Sequence, residues 1–123
     1  ILAFNFAYFD ELFMNGDTST LTYLDRYNIF ETKKPLNIRI KISGLSGKYK
    51  LTKYELNRNS GSVFDEWIRL GAPENMSNEE IQYLKRKSYP KIYTENIDVK
   101  DDYICNILLP VHGIELMTLE KVN

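Results

Sequence analysis

LNIRIKIS, residues 36–43, puts a large aliphatic side chain at every second position. Leu36, Ile38, Ile40 and Ile42 point one way, and Asn37, Arg39, Lys41 and Ser43 the other. Period two with one apolar and one polar face predicts a strand of an antiparallel sheet, packed on one side and wetted on the other. Gly44-Leu45-Ser46-Gly47 has the length of a hairpin turn, so KYKLTKYELN (48–57) is expected to return as the partner strand. Its apolar positions run Tyr49, Leu51, then Tyr54, Leu56. That change of parity predicts either a bulge or a strand buried partly on both sides.

Other segments repeat the pattern. ILAFNFAY (1–8) alternates Leu2, Phe4, Phe6 and Tyr8 with Ile1, Ala3, Asn5 and Ala7. Residues 15–35 lose periodicity and read as a long connection with one short strand around 27–30. Ile97 and Val99, then Tyr103, Cys105, Ile107 and Leu109, then IELMTLEKV make a strand–turn–strand–turn–strand ending. Six to eight strands with short turns predict a mostly β fold, an antiparallel β-sandwich.

One stretch departs from that period, GSVFDEWIRLGAPENMSNEEIQYLKR (61–86). Phe64, Trp67 and Ile68 fall at i, i+3 and i+4, which is helical spacing, and Gly71 and Pro73 end that helix. Ser77 with Glu80 has the form of a capping box, and Met76 with Ile81 that of a hydrophobic staple. Lys85, Arg86 and Lys87 complement the carboxyl end of the second helix dipole. The stretch is therefore a short two-helix crossover between strands. Phe64 and Trp67 are either filling beneath a connection or an aromatic platform for sugars, and the helical spacing favours filling.

Composition removes whole classes of function. With 123 residues the chain is expected to be a single sandwich domain, 1–123. Sixteen Lys and Arg balance seventeen Asp and Glu, which gives no electrostatic footprint for nucleic acid. No apolar run is long enough to span a bilayer. The lone Cys105 cannot form an internal disulfide and is expected to be buried and inert, in keeping with a reducing, cytoplasmic setting. The apolar start, without an initiating Met, predicts a piece excised from a longer chain.

No recognisable catalytic motif stands out in the sequence. Asp65-Glu66 and Glu79-Glu80 are neighbours on helices, pointing about a hundred degrees apart, so neither is an acid–base dyad and surface solubility is the expected role. His112, the only histidine, has no companion ligands for zinc and reads as an exposed turn residue. A Ser–His–Asp triad stays open on sequence, but GLSG at 44–47 is not a nucleophile elbow, and no phosphate-cradling glycine pattern occurs. No catalytic residue, metal or cofactor is expected.

KYKLTKYELNRNSGSVFDEWIRLGAPENMSNEEIQYL (48–84) resembles a C-terminal segment of family-39 glycoside hydrolases, the β-xylosidase and α-iduronidase group. There a strand with a tyrosine and a basic residue leads into a short helix with a tryptophan, then Gly-x-Pro, then a second capped helix. Trp67, Gly71, Pro73, Ser77 and Glu80 match that order, and ILLPVHGIELMTLE (107–120) is similar to the closing strands of the accessory β-sandwich beside the catalytic barrel. The same barrel and sandwich occur in certain AraC-type transcriptional regulators of Gram-positive bacteria. SVFDEWIRLGAPENM and the early FDELF (9–13) look closer to that branch. The likeness covers residues 36–122 and fits 1–13.

The resemblance implies a non-catalytic domain that packs against a family-39-like barrel of the same parent chain. In that family the acid/base glutamate lies in Asn-Glu-Pro, and retaining hydrolysis needs two carboxyl groups about 5 Å apart. Here Asn78-Glu79 is followed by Glu80, so no catalytic residue carries over. An exposed apolar patch is the expected scar of the interface, with Phe64, Trp67 or the aromatic face of residues 2–8 as candidates. The alternative is a carbohydrate-binding module that holds xylan-type oligosaccharides on exposed aromatics. A third reading, a partner-docking domain, predicts dimers in solution.

Overall fold

The structure is a computed structural model that describes residues 1–123. Its elements run β1 (Leu2–Phe4), α1 (Glu11–Met14), β2 (Leu36–Ile42), β3 (Gly47–Leu56), α2 (Val63–Arg69), α3 (Asn78–Lys87), β4 (Lys91–Val99), β5 (Tyr103–Leu109) and β6 (Ile114–Lys121). One sheet has the order β1-β6-β3-β4 and the other pairs β2 with β5, every pair antiparallel. The sheets meet where Cys105 Sγ on β5 lies 3.9 Å from Met117 Sδ on β6. Leu51, Val99, Ile107, Leu109 and Met117 are buried in the core. The mostly β, antiparallel architecture with a two-helix crossover is as the sequence predicts.

The hairpin expected at 44–47 does not form. β2 aligns along its whole length with β5, Leu36 opposite Leu109 through Ile42 opposite Tyr103, and β3 lies in the other sheet. Gly44 and Gly47 both have positive φ (78° and 103°), and the Leu45 N–H donates to Asp101 O. The turn therefore carries the chain from one layer to the other. β3 runs between β6 and β4 with unbroken register on both sides, so it has no bulge. Its parity change marks a central strand: Leu51 and Thr52 are both buried, on opposite faces.

The first strand is shorter than its alternation predicts. Asn5, 1% exposed, ends it by turning inward. Its Nδ2 donates to Lys34 O and Leu109 O, and its backbone pairs with Gly113 and His112. The 27–30 strand reduces to an isolated bridge between Phe9 and Phe30. α1, capped by Asp10 accepting from the Phe13 N–H, has no counterpart in the sequence reading.

The crossover follows its sequence signals closely. Gly71 (φ 91°) donates to Ile68 O, and the next N–H, of Ala72, to Trp67 O, which closes α2. Ser77 Oγ accepts from the Glu80 N–H while Glu80 Oε2 accepts from the Ser77 N–H, the reciprocal box at the start of α3.

Candidate functional site

Asp65 and its neighbour Glu66 are not the solubilising surface pair expected. Asp65 is buried, and three side chains converge on its carboxylate. Tyr27 Oη and Ser62 Oγ donate to Oδ2 at 2.7 and 2.6 Å, and Arg58 Nε donates to Oδ1 at 3.1 Å. The Arg58 guanidinium carbon sits 3.7 Å from the Tyr27 ring centre, a cation–π contact. Burial alone would push the Asp65 carboxyl up, but the hydrogen bonds from Ser62, Tyr27 and Arg58 together hold it below the usual carboxylate value. Burial and the same carboxylate push the Tyr27 phenol up. Glu66 pairs with Arg69 at 2.6 Å and accepts from Tyr83 Oη at 3.4 Å, which ties α2 to α3.

His112 also departs from the expected exposed turn residue. It has φ 64°, is half-buried, and its ring lies edge-on to Phe30 at 4.6 Å and tilted to Tyr27 at 5.3 Å. Burial first, and Arg58 second, lower its pKa. The Tyr27, Phe30, Arg58 and His112 side chains border an open cleft of about 310 Å³. Within the cluster the Tyr27 and Ser62 hydroxyls and the Asp65 carboxylate engage one another, while Arg58 contributes its Nε and is otherwise half exposed. The cluster therefore fastens the 15–35 connection to α2.

Phe64 and Trp67 are half-buried beneath the same connection. Trp67 meets Tyr23 edge-on at 5.3 Å and donates its indole N–H to Pro73 O at 3.0 Å, while Phe64 lies 6.2 Å from Tyr27 and 5.8 Å from the Arg26 guanidinium. Cys105 is half-buried against Met117. No group of three or more His, Cys, Asp or Glu side chains is gathered to hold a metal. No helix is long and apolar enough to cross a membrane.

A further feature lies on the outer face of the four-stranded sheet. The large side chains of the N-terminal segment point out: Leu2 and Phe4 are each 60% exposed, and Phe6 and Tyr8 are exposed beside them, whereas Ala3, Asn5 and Ala7 turn inward. Strand register extends the row. Leu2 stands opposite Leu116, Leu116 opposite Tyr54, and Tyr54 opposite Ile92, itself 60% exposed; Phe4 stands opposite Ile114 and Ile114 opposite Leu56. The next row is Thr118, Thr52 and Thr94, and charge first appears with Glu120 and Lys50, beside the neutral Asn96. Sequence alternation identifies these residues as one face but not as the outward one. The inward face is set by β5, which packs on Met117.

No protein-family model matches the chain. Over 100 residues it is 28% identical to an uncharacterized HTH-type transcriptional regulator of Staphylococcus aureus (strain COL), covering 80% of this chain and 13% of the regulator. A counterpart from strain MRSA252 is 29% identical over the same length. Among solved structures, a monomeric β-xylosidase from Caulobacter crescentus superposes with a TM-score of 0.68 at 16% identity, over 99% of this chain and 24% of the enzyme. A GH39 enzyme from Xanthomonas axonopodis pv. citri gives 0.61 at 18% identity, over 70% and 18%. The chain thus spans only about an eighth of the regulators it resembles, and the fold occurs as a minor part of glycoside hydrolases.

Proposed function

We propose that the chain is a non-catalytic accessory β-sandwich domain that packs against a family-39-like barrel within a larger AraC-type transcriptional regulator. The observation that carries this reading is the pairing of the two likenesses. The fold over 99% of the chain is found in 24% of a β-xylosidase, while the sequence likeness runs to HTH-type regulators. Only 13 of 123 residues are buried, a small core that leaves much apolar surface for a covering partner. Asp65, one of two buried carboxylates, is engaged by three donors, which fits a structural role. A β-xylosidase parent is the second reading, favoured by the fold likeness alone.

The gene upstream of Ile1 tests this. A family-39-like barrel preceded by a helix-turn-helix pair is the expected result. A barrel without the DNA-binding segment moves the domain to a β-xylosidase. An upstream frame with no such barrel overturns the proposal.

A further inference from the structure

We infer that the outer face of the β1-β6-β3-β4 sheet, at the end carrying Leu2, Phe4, Tyr54, Ile92, Ile114 and Leu116, is the surface that docks onto the rest of the same polypeptide. This rests on the accessory-domain reading and adds to it the face, its limits and a choice between partners.

Two adjacent rows of cross-strand neighbours on this face carry only apolar and tyrosine side chains. Three inter-strand gaps of about 4.8 Å make the longer row roughly 14 Å across. A monomer exposed to water rarely keeps such a contiguous patch. The face also stops abruptly. Beyond the threonine row stand Lys50 and Glu120, so one end of the sheet is built for contact and the other for solvent. Phe6 and Tyr8, packed edge-on at 4.9 Å, extend the apolar end past β1.

The chemistry of the face selects the partner. A sugar needs convergent donors and acceptors beside its stacking platform, and the two apolar rows present no polar side chain except the Tyr54 hydroxyl. Nucleic acid needs positive charge, which begins only past the threonines. A flat apolar protein surface is what remains. The related proteins supply one in cis, because the β-xylosidase carries about three quarters of its length, and the regulator still more, outside the matched part. Attachment through the chain gives such a partner a high effective concentration, which a second copy lacks.

Maleimide labelling of the full-length parent protein, on a Cys105→Ser background, tests the assignment. Single substitutions Ile92→Cys and Leu116→Cys probe the apolar end, and Lys50→Cys and Glu120→Cys the polar end of the same face. The expected result is labelling at least about tenfold slower at 92 and 116 than at 50 and 120, independent of protein concentration. Equal rates overturn the assignment even where the upstream gene encodes a barrel. Protection that vanishes on dilution overturns it in favour of a second copy. Protection in a parent lacking a barrel keeps the docking face and removes the accessory-domain reading. Hydroxyl-radical oxidation of Phe4, Phe6 and Tyr8 in the unsubstituted protein gives the same comparison should a cysteine variant misfold.

Discussion

Tyr27 and Asp65 are 38 residues apart in sequence and joined by a 2.7 Å hydrogen bond, the phenol donating to the buried carboxylate. That bond, with Ser62 and Arg58 on the same carboxylate, anchors a connection that has almost no regular structure of its own. A hydrogen bond to a charged group contributes about 1.5–3 kcal/mol. Tyr27→Phe keeps the ring under Arg58 and removes only the donor, so it should lower unfolding stability by about 1.5 kcal/mol in urea titration. Asp65→Ala strands Tyr27 and Ser62 and should cost more, about 3 kcal/mol. If both variants match the parent protein, the cluster does not fasten the connection.

The same carboxylate sets an acid limb. Its folded-state pKa lies below the unfolded value of about 3.9. Its contribution is thus complete above the unfolded value and lost as pH falls through the folded one. Asp65→Asn should show a shallower loss of stability below about pH 4 than the parent chain. An unchanged acid limb would mean that other carboxylates dominate it.

Glu115 works with the opposite sign. It is buried, its Oε1 has no partner, and register sets it directly opposite Glu55, with like charges facing across β6 and β3. Burial chiefly, and Glu55 as well, raise its pKa despite the nearby Lys53. The folded state therefore favours the protonated acid, and this stabilisation is present below the unfolded value of about 4.3 and lost as pH rises through the folded one. Glu115→Gln should leave stability unchanged near pH 4 and raise it at pH 8 by on the order of 1 kcal/mol. Equal stabilities of the two proteins at pH 8 would contradict this.

How much of this was readable before the structure depends on the range of the interaction. Ser77 and Glu80 are three residues apart, and their box follows from local geometry, so sequence reveals it; Gly71 is legible for the same reason. The partner of β2 lies some seventy residues away, and nothing in LNIRIKIS distinguishes β5 from β3. Asp65 looked like surface charge because its partners Tyr27 and Arg58 come from other segments. At residues 2–8 the alternation defined one aromatic face, but period two alone does not say which face is buried; the family resemblance offered that face as an exposed patch, and it is exposed. Here these side chains face out, away from the layer that carries β5.

Ser77 offers a control for that local class. Ser77→Ala removes the acceptor for the Glu80 N–H and should destabilise the protein by about 1 kcal/mol. Ser77→Asp, another good cap, should recover most of it. Loss in both variants alike would place the effect elsewhere than the cap.

Trp67 allows the sugar-binding alternative to be checked directly. Its indole N–H is committed to Pro73 O and its ring to Tyr23, beneath the 15–35 connection. Xylo-oligosaccharides should therefore leave the fluorescence of this single tryptophan unchanged, and calorimetry should detect no heat of binding from any other aromatic. A saturable response in either would revive the carbohydrate-binding module.

His112 sets backbone strain against side-chain packing. Its φ of 64° is left-handed, a conformation that costs about 1 kcal/mol in a residue with a Cβ and almost nothing in glycine. The ring gives back contacts with Phe30 and Tyr27. His112→Ala loses the ring and keeps the strain; His112→Gly loses the ring and relieves the strain, although it adds chain entropy to the unfolded state. The glycine variant should consequently be the more stable of the two by about 0.5–1 kcal/mol in thermal or urea unfolding, with both below the parent chain. If alanine proves the better substitute, the left-handed turn carries no strain worth relieving, and the ring packing alone explains why a histidine stands at this corner.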